Sequence, residues 1–242
     1  MERLNSHKLL RGSLESLRST GLLQKAQDQR YVLTELEYYD WHVAFASLQL
    51  LELCQQLFDT ASLLNNYPAR STGITSFKYL MYTLENWHLR CGSVEDRAVN
   101  LINRSFHLGC HKPGAADFVL KNTKVARTNV PTHFKKLQRT LQKHRKVRNE
   151  IVHAGSLVPH GMKDVAILYV YDDAMIAQHE VEQFRLGVKT HRAQRLAQVR
   201  KTNREHLLAA NDHIIAGLVP LADALVPIVE EQHRRLGAYA GA

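Results

Sequence analysis

The sequence predicts an all-α fold, and three observations carry that expectation. Leu, Ala, Gln, Arg and Lys, all good helix formers, are abundant. Only 12 Gly and 6 Pro interrupt 242 residues. Apolar residues also recur at helical spacing through several long windows. At 45% hydrophobic, the chain has material for one sizeable core, or for a helical domain with a long appendage.

The elements follow in order. Residues 2–19 read as a short amphipathic piece inside an N-terminal extension spanning 1–37. A long helix is expected from near Tyr38 to Asn65 and another from near Thr75 to Leu108. The stretch His111 to Asn129, with Pro113 and Gly114, reads as a loop, and Pro131 suits the first turn of a helix ending near His153, before Gly155. Together these form a helical core over 38–155. The segment 157–172, which contains VAILYVY, reads as irregular chain or a short strand. A strongly basic helix from about Ile176 to His206 and an apolar one from about Leu207 to Leu236 complete residues 156–242. The last is expected to bend at Pro220 or Pro227 and to pack on the core or on a partner.

Charge is unevenly placed. The net charge is +9, yet residues 1–117 hold 12 Lys/Arg against 12 Asp/Glu and residues 150–242 hold 10 against 11. The segment 118–149 carries ten Lys/Arg and no carboxylate, so it supplies the whole excess. Taken alone, such a block is a solvated helix face; it can also gather phosphate backbones through counterion release. A second basic tract, Arg185 to Arg204, reads first as a solubilising face and second as an extension of that surface.

Cys54, Cys91 and Cys110 cannot all pair and show no CxxC spacing, which suits free thiols in a reducing compartment. The start, MERLNSHKLLRGSLESL, lacks the apolar run of a signal peptide. The most apolar stretch, His213 to Val229, is broken by Pro220, Asp223 and Pro227. A soluble, cytoplasmic protein without membrane contact is the expectation.

The basic segment runs into KVRNEIVHAG, where Arg148, Asn149 and His153 sit in the last turns of the 131–153 helix. A fixed cation, a polar positioner and a group that can carry a proton near neutral pH are the parts of a metal-free RNA-cleaving site. Spacing alone is weak: 19 Arg and 14 His yield roughly one Arg-x-x-x-x-His pair by chance, and Arg139 with His144 is a second instance. Context separates the first pair, because Arg148 interrupts the apolar arc of Phe134, Leu137, Leu141, Val147, Ile151 and Val152. An arginine there needs a carboxylate, an anion or a wet interface. Glu95 or Glu85 on the preceding helix can close it into a structural ion pair. His153 likewise can simply complement the helix dipole. Lys135, Lys136, Arg139, Lys143 and Lys146 collect opposite the apolar arc, and with Arg145 they are the candidate phosphate-binding residues. Arg148 and His153 point roughly 140° apart on one helix. A facing copy in a twofold dimer can complete one site from two helix ends.

The motif RNEIVH, preceded by the long helix YLMYTLENWHLRCGSVEDRAVNLIN, resembles the HEPN superfamily of helical nucleotide-binding domains, over roughly residues 40–155. The resemblance implies an all-α bundle that forms a homodimer and, in active members, cuts RNA without metal. It implies that Arg148 stabilises the phosphate, Asn149 positions it, and His153 is the general acid/base while the RNA 2′-hydroxyl attacks phosphorus. It also implies a toxin, defence or stress role, with an antitoxin or nucleotidyltransferase as possible partner. Inactive members bind without cleaving, so a non-catalytic RNA- or nucleotide-binding module is the alternative, and a protein-interaction module a further one.

Other chemistries rank lower. His107, Cys110 and His111 suggest zinc, but no fourth ligand is evident. Neither a nucleophile turn nor a Gly-rich phosphate loop occurs. No metal or cofactor is expected.

Overall fold

Short helices lead into the chain: α1 (Glu2–Asn5), α2 (Lys8–Ser19) and α3 (Leu22–Gln27). The computed structural model describes residues 1–28, 31–65, 74–110, 116–154, 165–166, 169 and 182–240. The His7 ring caps α2 by accepting the Leu9 N–H at 3.2 Å, and its other nitrogen meets Asp223 at 2.9 Å. Gly21, at φ 66°, makes the left-handed turn into α3.

The first long helix, α4 (Glu35–Leu63), starts on a capping box. Thr34 Oγ1 accepts the Glu37 N–H at 3.2 Å while the Glu37 carboxylate accepts the Thr34 N–H at 3.0 Å. Thr75 gives α5 (Ser76–Ser105) a side-chain cap without the reciprocal bond, accepting from Lys78 N–H at 3.2 Å. Both helices lie within a few residues of their expected positions.

The stretch expected as loop, His111 to Asn129, holds two short helices among its described residues, α6 (Ala116–Lys121) and α7 (Thr123–Ala126). Asn122 supplies the side-chain cap of α7. Val119 and Val125 are buried in the core, and burial rather than propensity holds these turns. Helix α8 follows (Val130–Ala154), with Pro131 in its first turn as expected.

The C-terminal pair of helices is instead one helix, α9 (Glu182–Ala240), continuous through Pro220 and Pro227. An interior proline costs a helix about 3 kcal/mol. Ile214, Leu218, Leu221 and Leu225 are buried along this segment, each contributing about 1.5–3 kcal/mol, so tertiary burial outweighs the two breaks. By length and composition α9 is the one helix among the described residues able to cross a bilayer; 33% of its most apolar window is buried within the structure. In the segment 157–172, the described residues 165–166 are helical and 169 is a turn; the rest of the expected strand lies outside the described residues.

Helices α4, α5, α8 and α9 pack around a single large apolar cluster that includes Tyr39, Trp87 and Phe134, all fully buried, and also Leu4, Leu9 and Leu10 from the N-terminal segment. Leu17, Leu22 and Ala44 form a small satellite cluster under α3. All three cysteines are free, and burial pushes the Cys54 and Cys91 thiols up to about 12.

Candidate nucleic-acid interface

Helix α8 meets α5 on one side and α9 on the other, and this divides its charges into two groups. On the α5 side, Glu95 accepts the Gln138 amide at 2.8 Å and faces Arg145 at 3.6 Å. Glu95 therefore does not serve Arg148, and Arg145 carries a carboxylate neighbour that the other cations of α8 lack. Glu85 is half-buried on α5 and makes no ion pair among the described residues.

Arg148 reaches α5 by another route. A Cβ built on Gly92 would fall 2.5 Å from Arg148 Cδ and 3.1 Å from its Nε, so the arginine stem lies across the one position of α5 that has no side chain. Arg148 is half-buried, whereas Asn149 and His153 are exposed. His153 occupies the last turn of α8, where the helix dipole favours a cation. The three motif residues thus stay within reach of solvent at one end of α8.

On the α9 side the cations line a recess. Arg139, Lys143 and Lys146 fall at successive turns of α8 and, with Thr140, Gln142 and His144, form one wall of a groove of about 710 Å³. Ala210, His213, Ala216 and Gly217 of α9 form the other, their mostly small side chains leaving the space open. A Cβ on Gly217 would lie 3.3 Å from Leu137 Cδ1, so the helices touch closely beside the groove. Among the described residues no carboxylate lines it, and Arg139, Lys143 and Lys146 make no ion pair. Lys135 and Lys136 are exposed on the same helix.

Sequence reasoning missed His144 and His213. The signal for His144 was its position on the apolar arc, in step with Leu137 and Leu141. His144 is 8% exposed, with its ring edge-on to Trp87 at 4.9 Å and 5.8 Å from the His88 ring. Trp87 in turn donates its indole N–H to Asn211 of α9 at 2.9 Å. Burial holds both imidazoles down to about 4, aided for His144 by His88 and Lys143, so both are neutral at pH 7. The Arg139/His144 pair, which spacing alone left as coincidence, is thus the pair that shares a cavity.

The second basic tract is not uniformly solvated. Arg192 is buried with its guanidinium over the Tyr169 ring at 4.9 Å, and Tyr169 stacks on Phe77 at 5.2 Å. Lys189, Arg195 and Lys201 are exposed. Of the residues considered for zinc, His107 packs against Tyr39 and Cys110 is tied through its backbone to the Asn103 side chain, while His111 lies outside the described residues. No group of three metal-ligating side chains occurs among the described residues.

A second cavity of about 150 Å³ separates α2, α4 and α9 at the far end of the bundle. His233 meets Asp40 there at 2.5 Å, and Lys8 meets Glu230 at 2.6 Å. The Asp40 hydrogen bond raises the His233 pKa above its ordinary value.

Fold and site together define a class: an all-helical protein with a cationic groove between two core helices, lined by no carboxylate among the described residues. No family model matches the chain, and comparisons with curated proteins and with solved structures found no match either.

Proposed function

We propose that this chain binds RNA along α8 and cleaves it without metal at the end of that helix, as a homodimeric HEPN-like endoribonuclease of the toxin, defence or stress type. The observation that carries the binding half is the row of Lys135, Lys136, Arg139, Lys143 and Lys146, exposed on the helix that ends in the motif and without an ion pair among the described residues. Three or more phosphate contacts of this kind make affinity strongly salt-dependent.

The cleavage half rests on Arg148, Asn149 and His153. The RNA 2′-hydroxyl attacks phosphorus, the bond to the 5′ oxygen breaks, and a 2′,3′-cyclic phosphate forms. Arg148 neutralises charge on the phosphoryl oxygens, Asn149 holds the phosphate in place, and His153 is the general acid/base: an imidazole takes the proton of the attacking 2′-hydroxyl and an imidazolium delivers one to the departing 5′ oxygen, so that no net proton is gained or lost. Because Arg148 leans onto Gly92 while His153 faces solvent, the two meet one phosphate when α8 ends from two copies face each other. A cytoplasmic location, where RNA and free thiols coexist, belongs to this reading.

The test is incubation of the protein and its His153→Ala variant with mixed RNA in excess EDTA, followed by identification of the product ends. The reading expects cleavage by the unsubstituted protein only, with 2′,3′-cyclic phosphate ends and no action on a 2′-deoxy strand. Salt-sensitive binding with no cleavage at any concentration refutes the catalytic half and leaves a binding module. The half-buried, inward-leaning Arg148 is the observation that favours this second reading.

A further inference from the structure

The α8–α9 groove has a buried histidine in its lining as well as a cationic wall. His144 lines it, is 8% exposed, and hydrogen-bonds nothing among the described residues. Nearby, His88 Nδ1 and Asn211 Nδ2 are sealed and without a partner among the described residues, whereas the His144 ring keeps a small exposure and belongs to the lining of the groove. A buried, neutral polar group that shares a recess with the exposed cations Arg139, Lys143 and Lys146 matches a ligand that is anionic at one end and neutral and polar at the other. Double-stranded RNA has the wrong shape for this, since its bases are stacked and paired, and a recess cannot enclose one of them when only their edges reach the shallow minor groove. An unstacked nucleotide carries both groups within one unit, and a groove of about 710 Å³ is in the range of small-ligand sites.

We propose that the groove takes an unpaired nucleotide of single-stranded RNA, its phosphate on the Arg139, Lys143 and Lys146 wall and its base hydrogen-bonded to His144. The inference rests on RNA as the ligand and assigns the binding preference to a place distinct from Arg148 and His153. Held neutral by burial, the imidazole offers one donor and one acceptor at pH 7. The ring cannot turn freely, because Trp87 lies edge-on against it.

The experiment is fluorescence anisotropy in EDTA with the full chain, using a labelled single-stranded RNA and a duplex of the same sequence. Variants are His144→Phe, which keeps a ring against Trp87, and Lys143→Ala with Lys146→Ala. The expected result is that His144→Phe weakens single-strand binding about tenfold and leaves duplex binding within about twofold. The double lysine variant weakens both. An equal effect of His144→Phe on both RNAs, or none on either, overturns the proposal while RNA binding itself stands. Displacement of single-stranded RNA by micromolar AMP reassigns the groove to a free nucleotide and also overturns it. Absence of binding to any RNA at low salt refutes the functional reading instead. A second readout spares His144: Trp41→Phe leaves Trp87 as the sole tryptophan of the two. Its fluorescence is expected to change with single-stranded RNA and not with duplex, and an unchanged signal with bound single strand overturns the assignment.

Discussion

Acid should open this protein at the Trp87 cluster. His88 and His144 lie 5.8 Å apart, and burial holds each imidazole near 4 in the folded chain against an ordinary 6.5. Below pH 6.5 the unfolded chain takes up protons that the native rings refuse. Their contribution to stability is therefore complete above about pH 6.5 and is lost as pH falls toward about 4. At about 1.4 kcal/mol per pH unit, each ring costs about 3 kcal/mol over that window, a large share of a typical 5–15 kcal/mol total. Carboxylates titrate in the same range, so the measurement must be a difference. Urea unfolding of the unsubstituted protein and of His144→Phe, at pH 7.5, 6.0 and 4.5, supplies it. The variant is expected to lose about 3 kcal/mol less than the parent between the extremes, most of it below pH 6. Parallel stability curves for the two proteins from pH 7.5 to 4.5 would refute the account of His144 as a buried neutral ring.

Three further outcomes are expected. Gly92→Ala places a methyl where Arg148 Cδ now lies 2.5 Å away, so the flexible arginine must swing aside; stability should hold or rise by up to about 1 kcal/mol, while RNA cleavage falls about 10²-fold. Circular-dichroism melts alongside cleavage rates check this, and unchanged cleavage removes Arg148 from the chemistry. The raised pKa of His233, due first to its hydrogen bond with Asp40, contributes stability that is present below about pH 6.5 and lost as pH rises through the raised value. The melting temperature should thus drop on going from pH 6 to pH 9, and Asp40→Asn should flatten that part of the curve. Replacing Lys143 and Lys146 together by Ala should reduce the slope of log binding constant against log salt by about 1.4 for a single strand, at about 0.7 per lost phosphate contact.

Much of the fold was legible because the relevant signals are local. Helical spacing and turn chemistry placed α4, α5 and the start of α8, where Thr75 and Pro131 stand at the expected ends. The loop expected before α8 failed because α6 and α7 are held by burial of Val119 and Val125 rather than by length or propensity. The division expected between His206 and Leu207 failed for a related reason, since α9 runs on as one helix whose core contacts carry it through Pro220 and Pro227. At the candidate site, spacing brought out Arg148 and His153 and discounted Arg139 with His144. What decides between such pairs is the neighbouring helix, and α9 lies far along the chain.

By itself, the sequence determined the all-helical class, the carboxylate-free basic segment and the face of α8 on which its lysines gather, because composition and a 3.6-residue period are properties of one stretch of chain. Only the tertiary structure decided which charges are spent and which are available. Glu95 takes Gln138 and Arg145, Gly92 admits the Arg148 stem, and the small residues of α9 turn part of a basic face into a groove with a buried histidine in its lining. Those outcomes depend on which side chains two helices bring within a few ångströms of each other, and periodicity along one helix holds no information about its neighbour's register.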